Sequence, residues 1–299
     1  MEEVEDIHRE KIDKTKNIVF VKSKQNIHSA ISLSQYIYNG ITLITLIGEL
    51  HKETFKCDEP SLSIAEYCRN ATEHNPNCRV MLEYEKEEDI STWSDSTIKE
   101  TFDSLNKSQI IPFDERPNII TREKQYDLYW RDWSSFDTAT HGDVYVYIST
   151  WYIKPFFDKV ADKDLTILLP ARYFNPVSRG NLVSYYNFLK KSFNQIQTMI
   201  KSKQSIGDIK QQLQISWAQV ADFYILKKLF TVNDKINEYI VILGEYHKRN
   251  IKNFIEVNSK SDKDKNLYYS LGNKQKDLDK DGKIVCVNIY TTYSFNLEK

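Results

Sequence analysis

Apolar residues fall into two kinds of segment along this chain: short continuous runs of strand length, and longer stretches with apolar positions three and four residues apart. Their alternation is the pattern of an α/β protein. Residues 27–38 (IHSAISLSQYIY) have helical spacing and predict a helix that ends at the Asn39-Gly40 turn. The run ITLITLIGE that follows predicts a buried strand. Residues 61–74 predict a second helix, and residues 79–84 (RVMLEY) a second strand beyond Pro76-Asn77. Strand, helix and strand of these lengths predict a βαβ unit with parallel strands.

Farther on, residues 91–105 predict a capped amphipathic helix, and residues 110–121, with two prolines, a loop. Residues 126–133, 144–149 and 165–169 are rich in aromatic and β-branched side chains and predict strands. Residues 178–233 carry two long helical patterns broken near 205–207, which predicts a helical hairpin or cap. Residues 239–243 (YIVIL) return to strand, 249–257 to helix, and 284–290 to a last strand. The polar stretch 259–283 between them predicts a mobile surface excursion. The expected fold is therefore an α/β domain spanning residues 1–299. It has a mostly parallel central sheet flanked by helices and a long helical insertion around residues 178–233.

Composition narrows the function classes. Lys plus Arg number 41 against 42 for Asp plus Glu, so no global field draws the chain to nucleic acid or to an anionic membrane. The aromatic residues read as core rather than as base-stacking platforms, because no basic stripe accompanies them. The acidic N-terminal segment does not read as a secretory signal, and no apolar run approaches the ~20 residues of a membrane span. Four cysteines, at 57, 68, 78 and 286, have no zinc-ligand spacing and read as reduced thiols of a cytoplasmic protein. The abundance of Ile, Asn, Lys and Tyr beside only 8 Gly suits an AT-rich coding genome, such as that of a protist or a large DNA virus; for a virus the compartment would be the host cytoplasm.

One motif occurs twice. Leu43-Ile44-Thr45-Leu46-Ile47-Gly48-Glu49-Leu50-His51-Lys52 matches Tyr239-Ile240-Val241-Ile242-Leu243-Gly244-Glu245-Tyr246-His247-Lys248: a buried strand, then Gly-Glu-x-His-Lys. The glycine lets the backbone turn where the strand leaves the sheet, and Glu and His two apart share one side of an extended segment. Ligands of open parallel sheets bind beyond the carboxyl ends of strands, where both motifs would lie. On neighbouring strands, Glu49, His51, Glu245 and His247 would converge as ligands for a divalent manganese, cobalt or zinc ion with a position open for water. The competing reading has each His bonded to a nearby carbonyl and each Glu paired with the following Lys or capping a helix. A third element, Met81-Leu82-Glu83-Tyr84-Glu85, ends the second predicted strand; Glu83, directly after the apolar run, is the stronger candidate to enter a site as ligand or general base.

Paired Gly-x-x-His motifs after β-strands, with a strand-end Glu between them, resemble the TraB/TIKI superfamily. The Gly-Glu-x-His form is similar to its ChaN-like branch, with erythromycin esterases as more distant relatives. The resemblance covers some thirty residues. It implies a parallel α/β core and, in the catalytic branches, metal-assisted or general-base hydrolysis, whereas ChaN-like members include haem binders. Carried over residue by residue, it points to Glu49, His51, Glu83, Glu245 and His247. The arginine that accompanies these in the catalytic branches matches Arg116 or Arg131 loosely. Lys52 and Lys248, directly after the two histidines, depart from the family, and an ammonium there opposes a bound cation.

The expected function is hydrolysis of an ester or amide in a small-molecule or peptide substrate, either metal-dependent or with Glu and His as general base. The alternatives are a non-enzymatic binder of a haem-like ligand and a host-directed interaction protein that retains the fold. No Gly-x-Ser-x-Gly elbow and no His-Glu-x-x-His helix is present. Residues 277–284 open like an EF-hand loop, but Asn288 stands where the closing Glu should be, so a turn is expected there.

Overall fold

The structure is a computed structural model that describes residues 18–28, 30–38, 42–49, 61–84, 96–133, 141–231, 233, 235–261, 268–275 and 287–296. Strands β1 (Ile18–Ile27), β2 (Ala30–Tyr38) and β3 (Thr42–Glu49) come first, then helix α1 (Ile64–His74), β4 (Cys78–Leu82), α2 (Thr97–Ser104) and β5 (Ile110–Pro112). A helical stretch follows, comprising α3 (Arg122–Trp130), α4 (His141–Ile148), the short α5 (Lys154–Phe156) and α6 (Leu165–Leu168), and the long α7 (Pro176–Lys201) and α8 (Ile206–Phe230). Strand β6 (Glu238–Gly244), helix α9 (Glu245–Ser261), β7 (Tyr268–Gln275) and β8 (Val287–Asn296) close the chain. The chain divides into two compact units: one carries the strands with α1, α2 and α9, and the other, mainly residues 112–233, carries α3 to α8. Among the described residues, no helix is long and apolar enough to cross a membrane.

The first unit is built on a six-stranded sheet in the order β5-β4-β6-β3-β2-β7, and β1 and β8 form a separate antiparallel pair. Strand β6 runs parallel to both of its neighbours, β4 and β3, while β2 is antiparallel to β3 and to β7, so the two strands carrying the duplicated motif lie side by side. Strand β6 inserts between the two strands of the β3-α1-β4 crossover. Both β3 and β6 are buried along their whole length, as the continuous apolar runs require of strands covered on both faces. Helix α1 starts with a capping box: the Ser63 hydroxyl accepts from the Glu66 amide, and the Glu66 carboxylate accepts from the Ser63 amide at 2.7 Å. Tyr67 of α1 hydrogen-bonds Thr45 of β3, whereas Glu245 of α9 lies against Gly48. Since Thr45 and Gly48 are an odd number of positions apart, α1 and α9 cover opposite faces.

Several expectations are corrected. Residues 30–38 form β2, not a helix; the strand is paired on both edges, by β3 and β7, and is buried on both faces, so its apolar positions show no clean period of two. Residues 268–275, expected in a surface excursion, are β7. Residues 122–130 are helix because Thr121 caps it, and Leu128 alone of α3 turns fully inward while Trp130 stays 70 % exposed. Residues 144–149 are helix as well: Val144, Ile148 and Tyr152 are fully buried at a spacing of four while Val146 is exposed. In each case helical burial overrides the β-propensity of aromatic and β-branched residues. Asp164 accepts from the Thr166 amide and starts the single turn of α6 where a strand was expected.

The two long helices of the second unit appear as the sequence predicted. Asn175 caps α7 with Pro176 in its first turn, Ser205 caps α8, and the break between them falls at 202–205. They pack as a hairpin through Phe193 and Trp217, edge to face at 5.6 Å, and through the buried Ser192 and Ser216 hydroxyls, 2.6 Å apart.

At the amino end of β6, Glu238 is buried and accepts a 2.9 Å hydrogen bond from the Asn75 amide; burial pushes its carboxyl up to about 7, with Asn75 and Cys78 opposing that rise. The unfolded value is 4.5, so the protonated carboxyl contributes stability fully below pH 4.5, and the contribution is lost as the pH rises through about 7. Glu238→Gln should therefore be more stable than the wild type at pH 8 by on the order of 2–3 kcal/mol, and by little at pH 4.5. Urea melts of both proteins at the two pH values check this, and an equal gap at both would rule burial out as the cause.

Candidate functional site

The carboxyl ends of β4, β6 and β3 carry the candidate residues, and the register between β3 and β6 decides which of them meet. Gly48 lies opposite Leu243, and Glu49 opposite Gly244, so the two motifs are offset by one residue. A one-residue offset sends equivalent side chains to opposite faces. Glu49, 1 % exposed, shares the α1 face with Thr45, whereas Gly48, Ser32 opposite it and Glu245 meet on the α9 face.

The second motif is helical from its glutamate onward, which corrects the expectation of an extended segment with Glu and His on one side. Strand β6 ends at Gly244 and α9 begins at Glu245, so Glu245 and His247 are about 200° apart around a helix axis. Glu245 points at β3 and β2. Its Oε2 accepts a short hydrogen bond from the Ser32 hydroxyl and fills the space where a Cβ on Gly48 would lie. Its Oε1 lies 3.4 Å from the Arg249 guanidinium. On the other side of the same turn, His247 faces β4, where its Nε2 is 3.7 Å from Glu83 Oε1; both side chains are 10 % exposed. Tyr246 meets the His247 ring edge to face at 5.8 Å.

The sequence candidates thus separate. Glu83 and His247 come together, Glu245 binds Ser32 and Arg249, and Glu49 takes the opposite face. Among the described residues, no group of three or more His, Cys, Asp or Glu side chains could hold a metal ion. His51, Lys52, Glu85 and residues 277–284 lie outside the described residues, as do Cys57 and Cys286; Cys68 and Cys78 are free thiols, both buried. Arg116 belongs to the second unit, where it grips Asp114 with two parallel bonds of 2.9 Å. Burial pushes the Asp114 carboxyl up, but Arg116 outweighs it and holds the group below its ordinary value. Arg131, also in the second unit, pairs with Asp127 at 3.3 Å and lies over the Tyr147 ring.

Ser32 was not among the candidates because residues 27–38 read as a helix. The signal was nevertheless present: in a hairpin joining Tyr38 to Thr42, each step back along β2 matches one step forward along β3, which puts Ser32 opposite Gly48. Comparison with family models, curated protein sequences and solved structures gives no match, so the likeness to the TraB/TIKI superfamily rests on the motifs alone.

Lys248 is only 4 % exposed, and burial pushes its ammonium down to about 8 against the pull of Glu245. In the unfolded chain it would titrate near 10.5. The folded state is therefore penalised below pH 8, and the penalty fades as the pH rises toward 10.5. Lys248→Met should stabilise the protein at pH 7 by on the order of 1–3 kcal/mol, with the gain shrinking toward pH 10.5. Chemical denaturation at pH 7 and pH 10 reads this directly; a gain that does not change with pH would mean that side-chain packing, not desolvated charge, is responsible.

Proposed function

We propose that this chain hydrolyses an ester or amide bond of a small-molecule or peptide substrate, with the Glu83–His247 pair managing the proton. What carries the reading is the placement of that pair: a carboxylate and an imidazole 3.7 Å apart, nearly buried, at the carboxyl ends of two adjacent parallel strands. A carboxylate beside an imidazole fixes the ring's orientation and stabilises its protonated form. In the proposed step His247 takes a proton from water as the water oxygen attacks the carbonyl carbon. The proton then passes to the leaving oxygen or nitrogen as the old bond breaks, and Glu83 stabilises the transient imidazolium. The described residues favour this general-base form over a four-ligand metal site, because Glu49 and Glu245 diverge. Membership of the TraB/TIKI superfamily is part of the same proposal and is supported by the paired motifs on adjacent parallel strands.

The test is hydrolysis of a panel of fluorogenic esters and amides by the full chain. It is run after chelator treatment and again with manganese, cobalt or zinc. Activity that survives chelation and falls by about 10² or more in both Glu83→Gln and His247→Asn, with unchanged melting, is the expected result. Activity that appears only with a metal would replace the general-base mechanism with a metal-dependent one. No hydrolysis under any condition would leave the ligand-binding and interaction readings in its place.

A further inference from the structure

The two copies of the motif interlock: the glycine of the first makes room for the glutamate of the second. Gly48 has no side chain, and the Glu245 carboxylate occupies the position a Cβ would take; the Ser32 hydroxyl is 2.7 Å from that position and donates to the same carboxylate. Glu245 is the first residue of α9, so its seat against β3 and β2 holds the start of that helix. A helix turns 100° per residue, so fixing residue 245 against β3 fixes residue 247 on nearly the opposite side. That side is where Glu83 lies.

We infer that Ser32, Gly48 and Glu245 are positioning residues, whose interlock sets the rotation of α9 about its axis and thereby aims His247 at Glu83. Glu245 acts here by shape and hydrogen bonding rather than by its charge. The inference concerns the same site as the proposed hydrolase and depends on that activity only for its catalytic consequence, not for its geometry.

The experiment combines a double-mutant cycle with ¹⁵N NMR of the His247 ring at one fixed pH, on the full chain. Gly48→Ala should lower the melting temperature by about 5 °C or more, because the new methyl meets Glu245. Gly48→Ala/Glu245→Ala should melt close to Glu245→Ala alone, since the carboxylate is gone and the Ser32 hydroxyl can rotate away. In Ser32→Ala and Glu245→Ala the His247 ring signals should move toward those of Glu83→Gln. Glu245→Gln keeps the shape and an acceptor for Ser32 and should retain the wild-type signals. If Gly48→Ala does not fold, the double variant and the ring signals still decide. Strictly additive melting changes, or ring signals identical to wild type in both Ser32→Ala and Glu245→Ala, would overturn the inference. Neither readout uses a substrate, so a chain that hydrolyses nothing could still pass this test, and an active one could fail it.

Discussion

The parallel pairing of β3 with β6, with Glu49 set against Gly244, is the constraint on which the arrangement at the strand ends depends. Side chains alternate along a strand with a period of two, so a shift of one residue between two similar segments exchanges their faces. Two motifs that read alike in sequence therefore present different chemistry. The first sends its glutamate to the α1 face and its glycine to the α9 face. The second ends its strand one motif position earlier, at its glycine, and begins a helix at the glutamate, which brings Glu245 back over Gly48.

The same strand shows two ways of burying charge. At its amino end Glu238 has a neutral amide and a thiol beside it and stays protonated to about pH 7, because desolvation of a carboxylate there outweighs the two hydrogen bonds. At its carboxyl end Glu245 keeps company with a hydroxyl, the Arg249 guanidinium and the buried Lys248 ammonium. These partners meet Glu245 at the end where α9 begins. Lys248 carries part of that arrangement's cost, since its own ammonium is held well below its ordinary value.

The second unit is organised by burial at a spacing of three and four. Its long hairpin could be read from the sequence because twenty-odd residues of apolar stripe average out individual propensities, and because Asn175, Pro176 and Ser205 mark its starts. Short segments offer no such averaging. In α3 and α4 a few tyrosines, tryptophans and valines resemble strands, yet a helix buries Leu128, Val144 and Ile148 while leaving Tyr126 and Trp130 outside.

By itself the sequence determined the α/β class, the buried β3, β4 and β6, and the long helical hairpin. Each follows from local information: continuous apolar runs, caps, and glycine where a strand ends. What only the tertiary structure decided is the register between β3 and β6, and the point at which β6 gives way to α9. Register is a relation between segments nearly 200 residues apart, and a motif read along one segment carries no record of it. For that reason the sequence could bring Glu49, Glu245 and His247 to one end of one sheet but could not tell that they would face different partners there. Ser32 was missed for the same reason, since it matters only through its position opposite Gly48.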